Sequence, residues 1–215
     1  MKRRNLRALK AAIFILCLVP LFKLAFEAFG IWGLSLGANP IEELLHRCGK
    51  WGLNFLLITL AVTPVRRLAR INWLIHFRRM LGLFAFFYIL MHFAIYAVLD
   101  QGLSFNYIIE DVVKRPYITL GMAALLMLIA LAVTSTNKMM RRLGRNWQKL
   151  HRLVYVIAIL GVWHFYWQVK GDEPEPLVYA GILAVLFAIR LAYFVKKKKL
   201  KRKQNADQNL TRNPT

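Results

Sequence analysis

Apolar residues gather into six blocks along this chain, and most charged residues are confined to the stretches between them. The blocks run from Leu9 to Phe29, Trp51 to Val65, Met80 to Leu99, Pro116 to Thr134, Leu150 to Val169, and Leu177 to Val195. About 20 apolar residues in a helix cross a hydrocarbon core of about 30 Å. The pattern therefore predicts an all-α integral membrane protein, a bundle of six transmembrane helices. Two blocks fit less cleanly: the second is short, and the first carries Lys23 and Glu27. Lys23 can extend its stem toward an interface, and Glu27 lies near the outer end. Pro116 and Pro174/Pro176 precede the fourth and sixth helices, where proline suits a helix start. Pro64 is expected to end the second helix, and Pro20 to kink the first. No internal repeat is apparent.

Charge adds an orientation. The chain of 215 residues carries 31 Lys and Arg against 10 Asp and Glu, a net charge of +21. Once six spans are drawn, the basic clusters Lys2 to Lys10, Arg66 to Arg79, Lys138 to Arg152 and Lys196 to Lys203 all fall on one side. The other side receives Glu42, Glu43, Asp100, Glu110, Asp111, Asp172, Glu173 and Glu175. Short Lys/Arg-rich loops stay cytoplasmic, so both termini are expected there. This alternation excludes nucleic acid as the reason for the charge. A hydrophobic share of 58% and a mean hydropathy of +0.44 agree with a membrane protein rather than a soluble domain.

The organisation expected is a cytoplasmic N-terminus over 1–8, a transmembrane domain over 9–195, and a basic, disordered cytoplasmic tail over 196–215. The tail's lysines favour the anionic lipid of the cytoplasmic leaflet. A basic start followed by Ala11 to Val19 resembles a signal peptide, but no small-residue cleavage pattern follows, so the first span is read as retained. Cys17 and Cys48 do not make a disulfide framework. No Gly-rich phosphate loop opens a βαβ unit, so any electron donor must be another protein or a bound flavin.

The candidate chemistry lies in histidines at membrane depth. An ionisable ring in hydrocarbon is costly and marks a functional site by default, and imidazole is a standard axial ligand of haem iron. His92 lies about 12 residues into the third span and His164 about 14 into the fifth, rises of roughly 18 and 21 Å. Both spans run outward, so the two rings share a depth in the outer half of the membrane. Two imidazoles could clamp one iron from opposite faces, leaving no vacant position, which favours electron transfer. The bland alternative is a pair of helix-interface histidines bonded to carbonyls.

His151 precedes His164 by 13 residues, which puts it roughly 20 Å lower, a separation that suits a second haem. An ideal helix would also turn it about 140° off the His164 face, so either a kink lies between them, with Gly161 a candidate, or the two rings address different neighbours. Its level on the third helix falls near Arg78 and Arg79, and His76 could reach it only if its loop folds back. His46 is expected to be an exposed loop histidine, although it could meet an outer propionate. Arg78, Arg79 and Arg152 could pair with haem propionates, and positive-inside topology accounts for them equally well. Trp163, Tyr166 and Trp167 fit an interfacial aromatic belt.

Four stretches converge on a known family: LLITLAVTPVRR (Leu56–Arg67), RRMLGLFAFFYILMHFAIYAVL (Arg78–Leu99), RPYITLG (Arg115–Gly121) and TSTNKMMRRLGRNWQKLHRLVYVIAILGVWHFYW (Thr134–Trp167). The chain resembles the MsrQ (formerly YedZ) family from about Leu6 to Val195. These are haem-binding membrane subunits of the bacterial methionine sulfoxide reductase MsrPQ system, within the wider ferric-reductase-like transmembrane group. The resemblance implies b-type haem, one or two, in a multi-pass bundle of the bacterial inner membrane. It implies His92, His151 and His164 as haem ligands, and FMN as a further cofactor whose site no residue here marks. It also implies electron flow from a cytosolic flavin reductase or the quinone pool to a periplasmic molybdopterin catalytic subunit (MsrP-like), for repair of oxidised envelope proteins. The third helix departs from the oxidase members of the group, which have two histidines on each ligand helix. Competing readings are a stand-alone ferric reductase, a proton or metal transporter, and a cofactor-free scaffold.

Overall fold

The structure, a computed structural model, describes residues 3–31, 35–169 and 174–212. Asp172 and Glu173, expected on the acidic side, lie outside the described residues. The helices are α1 (Arg3–Ala28), α2 (Pro40–Leu68), α3 (Arg78–Ile95), α4 (Phe105–Lys114), α5 (Pro116–Val133), α6 (Asn137–Leu143), α7 (Arg145–Leu150), α8 (Leu153–Gln168) and α9 (Glu175–Arg212). A 3-10 turn over Asn72–Phe77 leads into α3, and a π turn over Tyr96–Asp100 closes it. Among the described residues there is no strand. Six segments are long and apolar enough to span a bilayer: Arg4–Ala28, Pro40–Leu68, Asn72–Asp100, Pro116–Val133, Arg145–Gln168 and Glu175–Leu200. The chain is a multi-pass, all-α membrane protein.

Helix α2 packs most closely on α3, and α5 on α8. The buried core draws on these two pairs: Leu53, Leu56 and Leu60 from α2, Phe84, Ala85 and Tyr88 from α3, Leu128 from α5, and Ile157 and Ala158 from α8. Helices α1 and α9 flank them, with apolar residues such as Ile15, Leu16, Leu191 and Phe194 facing outward, as lipid contact requires. Helix α1 is docked by the fully buried Tyr88. Its hydroxyl donates to the Cys17 carbonyl (2.8 Å) and accepts the Leu21 N–H (3.1 Å), so it inserts into the helical ladder beside Pro20. Glu27, 8% exposed, is neutralised by Arg47 at 2.5 Å and by Lys23 at 3.9 Å. Those two cations make a carboxylate tolerable in the first span. Both cysteines are free and buried.

Five sequence expectations are corrected. Helix α2 begins at Pro40, well before Trp51. Its first three turns carry Glu42, Glu43, Arg47 and Lys50, charges that hide the helix from a hydropathy reading; the last three form ion pairs. Pro64 does not end α2, which continues to Leu68. Proline has no N–H to give the carbonyl four residues back, and that carbonyl, on Leu60, instead accepts from Arg190 Nη2 at 2.5 Å. Helix α8 runs unbroken through Gly161, and the break lies at the turn His151–Arg152 between α7 and α8. His46 belongs to α2 rather than to a loop. The basic stretch after Val195 continues α9 as far as Arg212.

Candidate cofactor-binding site

Between α2, α3, α5 and α8 lies a cavity of about 560 Å³, within the range of about 300–1,000 Å³ typical of ligand sites, lined by Leu53, Leu56, Ile89, Phe93, Leu125 and Ile157. His92 and His164 project into it from α3 and α8. Their ring centroids are 6.2 Å apart and the ring planes make an angle of 80°. A metal–imidazole bond is about 2 Å long and the ring centroid lies about 1 Å behind the nitrogen, so two imidazoles on one metal have centroids about 6 Å apart. The observed spacing matches.

Each ring is fixed in the same way. His92 Nδ1 lies 2.9 Å from the Leu45 carbonyl, and His164 Nδ1 lies 2.7 Å from the Tyr117 carbonyl. A carbonyl only accepts, so each Nδ1 carries the proton and each Nε2 keeps its lone pair. That is how proteins orient metal-ligating histidine. Both carbonyls belong to α-helices, and a third group can approach them only where the next turn is bare. One turn on stand Gly49 and Gly121. A Cβ at Gly49 would sit 3.0 Å from His92 Nδ1, and one at Gly121 would sit 3.0 Å from His164 Nδ1.

The pairs Leu45/His92 and Tyr117/His164 have the same separation, 47 residues. A repeat invisible in residue identities is thus present in construction: one helix offers glycine and carbonyl, the next offers histidine. The acidic end of the cavity is polar, lined by Asn39, Glu42, His46, Lys50, Arg115 and Gln168. Gln168 Nε2 donates to His46 Nε2 at 2.6 Å. Lys50 pairs with Glu175, and Arg115 with Asp111. These donors at the mouth suit a ligand that presents carboxylates there.

The segment 48–162 matches the family described as "Ferric reductase like transmembrane component". The chain is 46% identical to the "Protein-methionine-sulfoxide reductase heme-binding subunit MsrQ" of Xanthomonas oryzae pv. oryzae, over 94% of each chain. It is 48% identical to the protein of that name from Herminiimonas arsenicoxydans, over 90% of this chain and 89% of the relative. Against that of Rhodospirillum rubrum it is 50% identical, over 88% and 90%. This chain belongs to the MsrQ family. It is also a member of the ferric-reductase-like transmembrane group, whose matched segment takes in Gly49, His92, Gly121 and His151 and stops just before His164.

In this MsrQ-family chain the other candidate residues lie away from the paired rings. His151 caps α7 and is not among the cavity residues. Its ring stacks on Trp147 with centroids 4.1 Å apart, and its Nε2 lies 3.2 Å from Thr134 Oγ1. Thr134 gives its one proton to the Ala130 carbonyl at 2.7 Å, so His151 is the donor to it. Thirteen residues before His92, where a second histidine would match His151, stands Arg79, whose Nη1 donates to Asn137 Oδ1 at 2.6 Å. Arg78 is half-buried at the start of α3, and Arg152 is exposed. His76 is exposed, its Nδ1 bonded within its own turn to the Trp73 carbonyl.

Sequence reasoning missed Gly49, Gly121, Lys50, Arg115 and Arg190. A lone arginine in the apolar run of α9 was a visible signal; the glycines gave none, because their role depends on which helix lies opposite.

Proposed function

We propose that His92 and His164 are the axial ligands of a b-type haem, and that the chain is a membrane electron carrier serving a methionine sulfoxide reductase. The single observation that carries the reading is the matched pair of carbonyl-anchored imidazoles facing each other at the spacing one iron requires. The relatives' shared name, a heme-binding subunit, supports it. Held by His92 and His164, haem iron would supply a one-electron couple. The protein's part is to hold two Nε2 lone pairs in line, exclude water with the leucine and phenylalanine lining, and meet propionates with Lys50, Arg115 and His46 at the mouth.

The basic clusters support both termini in the cytoplasm and, with them, the paired histidines toward the periplasm of a bacterial inner membrane. The partner on that side is a periplasmic molybdopterin subunit (MsrP-like), and the donor is a cytosolic flavin reductase or a quinone. FMN belongs to this reading through the donor side. At the basic end His151, with Arg78, Arg79 and Arg152 to meet propionates, is the remaining ligand for a second haem. Haem quantification on purified protein, with a reduced-minus-oxidised spectrum, tests the core of this. A reducible b-type spectrum lost in His92→Ala and His164→Ala is expected; a colourless protein after expression with ample haem overturns it. A stand-alone ferric reductase is separated by a deletion strain, which should lose methionine sulfoxide repair and keep its iron reduction.

A further inference from the structure

Helix α4 is too short to span a bilayer, and its sequence, FNYIIEDVVK, has three sides rather than two. At about 100° per residue, side chains four apart line up in ridges. Ile108, Asp111 and Val112 are half-buried and face the bundle. Phe105, Ile109 and Val113 form a second ridge, wholly apolar and 75%, 50% and 77% exposed. Asn106, Glu110 and Lys114 form a third, exposed and polar, with Glu110 paired to Lys114. Each side takes about a third of the circumference. A helix lying in water against the bundle would need only the first and third.

Bonds to two spans fix the depth of α4. Asp111 Oδ2 accepts from the Tyr96 hydroxyl at 3.1 Å and from Gln101 Nε2 at 3.2 Å. Tyr96 stands about one turn inside the end of the span Asn72–Asp100. On the other side, Thr119 Oγ1, in the first turn of α5, donates to the Val112 carbonyl at 2.5 Å. The C-terminal half of α4 is therefore level with the terminal turns of both spans, where hydrocarbon gives way to headgroups. Val98, Leu99 and Leu103, which lead into α4, are exposed as well, so the apolar ridge continues the lipid-facing surface of the third span. A protein partner could also cover that ridge. Its lack of any polar side chain to fix a register, and its depth, favour lipid.

We propose that α4 is an in-plane membrane anchor at the acidic end of the bundle, with Phe105, Ile109 and Val113 in the acyl chains and Asn106, Glu110 and Lys114 in water. Apolar burial on one side and a charged opposite side are what hold such a helix in the interface. The proposal rests on the six spans and not on the haem reading.

The test is thiol labelling of purified full-length protein in phospholipid nanodiscs by a charged maleimide, with single cysteines introduced as Ile109→Cys, Val113→Cys, Asn106→Cys and Glu110→Cys. Cys17 and Cys48 are buried, and unsubstituted protein sets their background. A thiol in hydrocarbon stays protonated and unreactive, so the two polar-ridge cysteines should label at least about tenfold faster than the two apolar-ridge ones. Equal rates on the two ridges in protein shown to be folded by circular dichroism overturn the proposal. A second measurement needs no cysteine: p-benzoylphenylalanine placed at Phe105 is photoactivated in whole membranes, and the adduct is identified by mass spectrometry. A phospholipid adduct is expected. An adduct with another protein would make the ridge a protein docking face and would overturn the anchor.

Discussion

Near the acidic end, His92 and His164 each commit Nδ1 to a backbone carbonyl and keep Nε2 clear; at the basic end His151 commits Nε2 to Thr134 and stacks on Trp147. The first arrangement is built twice, with Gly49 and Gly121 in matching places. The second is built once, with Arg79 standing where its twin would be. An intramembrane histidine is thus not a ligand by its depth alone. What sets the outer pair apart is an Nδ1 anchored on a carbonyl, a second imidazole across the cavity, and a glycine that lets each ring approach.

The sharpest way to break this contrast is to remove the rings. His92→Ala and His164→Ala should each abolish bound haem, read as loss of the Soret band in purified protein, because one remaining imidazole has no partner across the cavity. Survival of a normal spectrum in either variant would dissolve the pairing.

The glycines test whether the two halves are equivalent. Gly49→Ala and Gly121→Ala each place a methyl 3.0 Å from an imidazole nitrogen, tighter than packed atoms accept. Each should lower haem occupancy several-fold, by similar amounts, with the fold retained by circular dichroism. A large effect at one glycine and none at the other would show that the construction is matched in appearance only.

A smaller effect is expected where Pro64 and Arg190 meet. Arg190→Met should destabilise the bundle by roughly 1–3 kcal/mol by stranding the Leu60 carbonyl. Pro64→Ala in that background returns an N–H to the carbonyl and should recover about 1 kcal/mol of it. Chemical unfolding of the two single variants and the double variant measures the coupling, and strict additivity would refute it. The least effect belongs to His151→Ala, which should lower haem content only in part. Equal loss at all three histidines would erase the difference between the two ends.

The six spans were legible because lipid imposes length and apolarity, and the depth match of His92 with His164 followed from helical rise alone. The start of α2 was not legible. Its Glu43, Arg47 and Lys50 are paired with one another or with Glu27 and Glu175 on other helices, which sequence cannot reveal. His46 was placed in a loop for the same reason. The rotation that troubled His151 assumed one continuous helix, whereas the turn at His151–Arg152 removes that constraint before α8 begins. Arg190 followed the rule that flags an intramembrane charge, yet its role depends on Pro64, 126 positions earlier in the chain. The two glycines were the least legible: a missing side chain has meaning only against the ring that fills its place.

Electron paramagnetic resonance of the oxidised, purified protein probes the paired histidines most directly. Two imidazoles on one iron with ring planes at 80° predict a low-spin ferric signal of strongly anisotropic type, absent from His92→Ala and His164→Ala. A high-spin signal in the wild-type protein, or a low-spin signal that persists without either ring, would contradict the account.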